Sequence, residues 1–131
     1  MPTSVLLGHK ESAIALSYGA FLGVGRSRCP LGKKYGAEMY EVEGLLNTVK
    51  KSGVRMVGVC FHIGSGAKNP TYFAQGIQQA FKIFSLAKKI LGYRLYILDI
   101  GGGFNGNCAK DFKLTASVIN SNLHRFFKVR H

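Results

Sequence analysis

Acidic side chains are scarce in this sequence. Six Asp+Glu stand against 18 Lys+Arg, a formal charge of +12 in 131 residues. The basic residues form no run longer than two (Lys33-Lys34, Lys50-Lys51, Lys88-Lys89). No motif of interleaved basic and aromatic residues accompanies them, so nucleic acid is not the expected partner. Solvated basic faces account for the charge and stay compatible with an anionic ligand. Tryptophan is absent and cysteine is limited to Cys29, Cys60 and Cys108. These cysteines are far apart, with no Cys-x-x-Cys and no Cys/His cluster, which argues against a metal site. Their odd number suits free thiols in a reduced, intracellular chain better than a disulfide framework. No apolar run reaches the roughly 18 residues of a membrane helix, so no membrane span is expected.

Glycine and apolar residues are abundant. Seventeen glycines make about 13% of the chain, against a usual share of about 7%. A hydrophobic fraction of 47% supplies a core and excludes a disordered tail. The length allows one domain at most.

Along the chain, residues 1–28 differ from the rest. Ala13–Gly25 is a small-residue apolar run with Lys10 before it and Arg26 and Arg28 after it. It has the length of a signal-peptide core, but Glu11 borders it and no small-x-small cleavage site follows. The pattern here continues no strand–helix unit, so poor packing or a wrongly joined segment is expected. From residue 29 the pattern is regular. Glu38–Lys51 predicts a helix with Val42, Leu45, Leu46 and Val49 on one face and Gly53 as its stop. Val54–Phe61 (VRMVGVCF) reads as a buried parallel strand, followed by the glycine-rich turn His62–Lys68 (HIGSGAK). Asn69 caps and Pro70 opens a second helix to Leu91, with Phe73, Ile77, Ala80, Phe81, Phe84, Ala87 and Leu91 facing inward. Arg94–Ile100 (RLYILDI) reads as a second strand, Gly101–Asn107 (GGGFNGN) as a second glycine-rich turn, and Leu114–Phe127 as a third helix.

Strand–helix alternation of this kind implies a parallel sheet, whose sites lie at the C-terminal ends of the strands. Both glycine turns fall there. Consecutive glycines let backbone N–H groups approach a phosphate, and a helix N-terminus adds partial positive charge. Ser65 offers a hydroxyl from the neighbouring strand end. A tight turn with no ligand is the alternative for either segment alone. Gly101, Gly103 and Gly106 also match G-x-G-x-x-G, but no acidic residue follows Asp111, which argues against a dinucleotide site. His62 is either a satisfied turn residue or a flat ring placed to stack on an aromatic cofactor. Asp99, just before the triple glycine, is expected to accept backbone hydrogen bonds and fix the turn.

Val57–Gly66 (VGVCFHIGSG) and Leu98–Phe104 (LDIGGGF) closely resemble ornithine decarboxylases of the pyridoxal-phosphate type. Cys29–Ala37 (CPLGKKYGA) and Val118–Leu123 (VINSNL) are similar to segments of the same family, so the resemblance runs from about Cys29 to Phe127. Diaminopimelate and arginine decarboxylases carry related but less similar turns. Antizyme inhibitors, catalytically dead relatives, share much of this region. The resemblance implies an α/β fold, part of an alanine-racemase-like (β/α)8 TIM barrel, with residues 1–28 outside it and residues 29–131 as a partial cofactor-binding domain. It implies pyridoxal 5′-phosphate as cofactor and ornithine as substrate, with putrescine, and so polyamine synthesis, as the outcome. It also implies a cytoplasmic homodimer and antizyme as a further partner. By resemblance, His62 matches the ring-stacking histidine, Ser65 a phosphate-binding serine, and Gly102 and Gly103 the phosphate-cradling turn.

Several family features have no match in residues 1–131. They are the lysine that holds the cofactor, the glutamate that pairs with the pyridine nitrogen, the Glu-Pro-Gly-Arg turn, and the Cys and Asp of the following β domain. Asn105 stands where proline is common. A whole barrel takes about 250 residues, so the expectation is an incomplete barrel, inactive alone. A regulator like an antizyme inhibitor, or a gene remnant, is the alternative.

Overall fold

A computed structural model of the chain describes residues 11–16, 36–64, 67 and 69–128. Three parallel strands lie side by side in the order β1-β2-β3: β1 (Glu11–Leu16), β2 (Arg55–Phe61) and β3 (Ile97–Asp99). The helices are α1 (Val42–Ser52), α2 (Thr71–Leu91) and α3 (Ala109–Phe127). The architecture is α/β, as the alternating pattern predicts.

β1 is a correction to the sequence pattern, which predicts no strand before residue 29. Glu11–Leu16 pairs with Arg55–Phe61 in parallel, with a register shift between Ser12 and Ala13. Only four of its six residues are apolar, too short a run for periodicity to separate it from other apolar segments.

β2 is hydrogen-bonded on both edges, and Met56, Val57, Val59 and Phe61 are buried. Gly58 belongs there because Ile97 of β3 sits where a side chain would be. A Cβ built on Gly58 would fall 2.8 Å from the Ile97 Cβ and 2.9 Å from its carbonyl carbon. α1 starts at Val42 rather than Glu38, because Glu38–Glu41 closes as a turn: the Glu38 N–H donates to the Glu41 carboxylate at 2.8 Å. α1 buries Val42, Leu46 and Val49 and stops at Gly53, which takes the left-handed conformation at φ 70°.

α2 opens with the Asn69 side chain accepting the Thr71 N–H at 2.9 Å and ends at Gly92, whose N–H donates to the Lys88 carbonyl. Phe73, Ile77, Ala80, Ile83 and Ala87 are buried. Ile83 joins the predicted face. Phe81 and Phe84 instead turn toward α3, where they meet Phe126 and Phe127 at ring-centre distances of 5.0–5.5 Å. The predicted stripe therefore divides between two partners. α3 begins at Ala109, earlier than Leu114, because its first turn is exposed and carries no apolar period. β3 is shorter than Arg94–Ile100, although the Tyr96 N–H still reaches the Val57 carbonyl at 3.0 Å. The α2–β3 connection is fastened by Tyr93, whose hydroxyl accepts the Met56 N–H at 3.0 Å.

Candidate functional site: the glycine turn at the strand ends

Because β2 and β3 are parallel neighbours, the segments that leave them emerge at the same end of the sheet. His62 and Gly101–Gly103 meet there. Ser65 lies outside the described residues.

The triple glycine is held from two sides. Asp99 accepts the Gly101 N–H through Oδ1 at 2.8 Å, the turn-fixing role its position predicts. From the other strand, His62 Nδ1 accepts the Gly102 N–H at 2.8 Å. Nδ1 is therefore the unprotonated ring nitrogen, and the neutral ring carries its proton on Nε2. The Gly103 N–H has no partner among the described residues. Of three successive donors, two are committed to the frame, and the third is uncommitted among the described residues.

Side chains are excluded from this turn by close approach. A Cβ on Gly102 would lie 2.8 Å from His62 Cε1. One on Gly103 would lie 2.6 Å from Ile63 Cγ1 and 2.9 Å from the Gly64 carbonyl oxygen. Gly101 and Gly103 also have φ of 63° and 114°, which residues with a Cβ rarely adopt. The turn lies against the Phe61–Gly64 backbone with room only for hydrogen.

Phe104 clamps the far end of the turn. Its ring packs 4.9 Å from Phe73 in the first turn of α2 and 5.9 Å from Phe112 in the first turn of α3. Asn105 forms its own turn, accepting the Asn107 N–H at 3.2 Å and donating to Asp111 at 3.1 Å. Those contacts suit an asparagine where the resemblance makes proline common. Next to the site, burial and then the negative charge of Asp99 push the Cys60 thiol above its ordinary range. No cluster of His, Cys, Asp and Glu among the described residues is able to hold a metal.

A separate cavity of about 560 Å³ opens between α2, β3 and α3, lined by Phe81, Phe84, Lys88, Arg94, Tyr96 and Phe126 among others. None of the glycine-turn residues lines it. No helix of the described residues is long and apolar enough to cross a membrane.

The glycine turn fits the phosphate of pyridoxal phosphate. It offers an uncommitted backbone donor at Gly103, a surface cleared of Cβ atoms, and a half-buried flat ring at His62 tied to the same turn. The tie between His62 and Gly102 has no local sequence signal, because its partners are 40 residues apart. Nor does the sequence rank the three glycines by which donor stays open.

Residues 10–131 match the family model "Pyridoxal-dependent decarboxylase, pyridoxal binding domain". The match begins within the segment predicted to resemble nothing in the family. Ornithine decarboxylase of Neurospora crassa is 40% identical over 102 residues, covering 77% of this chain and 20% of that protein. Mouse antizyme inhibitor 2 is 43% identical over 99 residues, covering 74% of this chain and 21% of the relative. Among solved structures, the arginine decarboxylase of Paramecium bursaria Chlorella virus superimposes with a TM-score of 0.75 at 29% identity, covering 89% of this chain and 29% of that one. The lysine/ornithine decarboxylase of Vibrio vulnificus, complexed with putrescine, gives 0.69 at 25% identity, covering 86% and 28%. The chain thus spans about a fifth of the length of these curated relatives.

Proposed function

The chain belongs to the pyridoxal-dependent decarboxylases, through their pyridoxal-binding domain, and from that premise we propose that it holds the phosphate end of pyridoxal 5′-phosphate in an ornithine decarboxylase-like protein. The observation that carries this is the frame at the strand ends: Asp99 and His62 take the first two N–H groups of the triple glycine and leave the Gly103 N–H for an anion. Within the family this cofactor withdraws electrons from the carbon that loses carbon dioxide.

Each residue has a separate task. Gly103 donates to a phosphate oxygen from its backbone. Gly101 and Gly102 keep the surface bare so that the oxygen comes close. His62 presents a fixed, flat ring to the pyridine. Ser65 adds a hydroxyl donor from its position in the matching motif. Phe104 holds the turn's exit against α2 and α3. These groups bind and orient, and none of them moves a proton. Ornithine as substrate and putrescine as product rest on the identity to ornithine decarboxylases. On the same footing, Glu11–Asp99 is an arc of a (β/α)8 barrel. We also carry over from the resemblance a cytoplasmic location and a homodimer.

A second reading has its own support. Antizyme inhibitor 2 is as similar to this chain as the decarboxylases are, and a regulator of that kind would bind antizyme. A titration of the purified chain with pyridoxal phosphate, beside a pull-down on immobilised antizyme, separates the two. Saturable cofactor binding, suppressed by inorganic phosphate, supports the cofactor-binding reading. Antizyme capture with no cofactor binding supports the regulator. With ornithine present, the chain alone is expected to release no carbon dioxide above the free-cofactor rate.

A further inference from the structure

Three successive glycines have no side chains with which to set their own conformation. Glycine also surrenders more backbone freedom on folding than any other residue. The shape of Gly101–Gly103 must therefore come from outside the turn. One restraint is local, Asp99 on Gly101. The other crosses from β2 to β3, from His62 Nδ1 to the Gly102 N–H.

We infer that His62 acts as a positioning residue for the phosphate turn: by accepting the Gly102 N–H through Nδ1 it fixes the peptide whose neighbour, Gly103, presents the open donor. The inference deepens the cofactor reading above and rests on it. It assigns His62 a role that ring stacking does not contain. Stacking needs a flat ring and is indifferent to its nitrogens. Positioning needs an acceptor at one atom, two bonds from Cβ, and is indifferent to the ring. The crowding at the turn agrees with positioning. A Cβ on Gly102 would collide with His62 Cε1 at 2.8 Å, and one on Gly101 would press on His62 Nδ1 at 3.0 Å. Acceptance through Nδ1 also fixes the tautomer, leaving Nε2–H as the ring's donor.

Two variants of the full chain separate the roles. His62→Phe keeps a flat ring and removes the acceptor. His62→Asn removes the ring and keeps an acceptor, Oδ1, at the Nδ1 distance from Cβ. Two readouts are needed. Hydrogen exchange at the Gly102 amide, without ligand, reports the tie itself. Calorimetric titration with pyridoxamine 5′-phosphate reports the phosphate site, and this probe lacks the aldehyde that surface lysines capture. A net hydrogen bond of this class corresponds to about tenfold. The expected result is exchange about tenfold faster and affinity about tenfold weaker for His62→Phe; His62→Asn keeps Gly102 exchange within about threefold of the parent and loses only the part of the affinity that the stacked ring supplies. Unchanged Gly102 protection and affinity in His62→Phe, or loss of Gly102 protection in His62→Asn, overturns the proposal. Faster exchange in His62→Phe with unaltered affinity overturns it too. If His62→Phe does not fold, His62→Asn decides alone by the same criterion. A parent chain that protects Gly102 but does not bind the probe defeats the cofactor reading, and the exchange data still judge the tie.

Discussion

The β2–α2 unit and the β3–α3 unit are built from similar sequence, apolar strand, glycine turn and amphipathic helix, yet they are buried very differently. β2 is paired on both edges, and α2 buries six residues, among them Phe73, Ile77 and Ile83 with no more than 1% exposure. β3 is paired with β2 alone among the described residues, and its Ile97 is 44% exposed. α3 buries Ile119 alone, and Phe112 and Leu114 stand open. Apolar sequence marks which residues a layer can bury. Neighbours on both sides decide whether it does. The glycine turn lies on the border between the two units, fastened to the first through His62 and to the second through Asp99.

That contrast gives a graded set of outcomes. The largest effect is expected for Phe73→Ala in α2. It empties a fully buried site and removes the ring against Phe104, at a cost of about 3–5 kcal/mol. Urea unfolding measures it, and a cost no larger than that of a surface substitution would break the contrast. Gly58→Ala comes next. Its Cβ meets backbone of Ile97, so β3 must move away from β2 at a cost of roughly 1–3 kcal/mol. Hydrogen exchange should show Tyr96–Asp99 losing protection first. Equal loss across β1 and β3 would show that the two edges are not as unlike as described.

A smaller effect belongs to Cys60. Its folded-state pKa is raised above the ordinary value of 9.0, by burial first and by Asp99 second. The folded chain therefore favours the neutral thiol. That contribution is fully present below about pH 9 and is lost as pH rises through the folded pKa. Stability measured from pH 8 upward should fall in the parent and less in Cys60→Ala. Alkylation at pH 8 should be slower at Cys60 than at a free model thiol. The smallest change is expected for Leu114→Ala, on the exposed side of α3, at within about 0.5 kcal/mol by urea unfolding.

Much of this was legible from the chain itself. Strand–helix alternation put both glycine turns at one end of a parallel sheet, and Asp99 before the triple glycine announced its Asx-type bond. Three features were not legible, each for a physical reason. Glu11–Leu16 (ESAIAL) carries a charged and a hydroxyl residue before its apolar ones, and its pairing with β2 joins segments far apart in the chain, which no local pattern reveals. Phe81 and Phe84 share a helical stripe with Ala80 and Ala87, and periodicity does not say that one edge of the stripe meets another helix. The His62–Gly102 bond joins two segments that only the sheet brings together, so it becomes visible only once β2 and β3 are paired.

The central claim is that the strand-end turn binds phosphate through the backbone of Gly103. Calorimetry of the full chain with pyridoxamine 5′-phosphate and with pyridoxamine, in the parent and in Gly103→Ala, tests it most directly. A Cβ at position 103 meets Ile63 and the Gly64 carbonyl, and φ of 114° strains any residue but glycine. The account predicts saturable binding of the phosphorylated compound by the parent, no measurable binding of the unphosphorylated one, and a loss of about tenfold or more in Gly103→Ala. Equal binding of the two compounds, or undiminished affinity in Gly103→Ala, would contradict it.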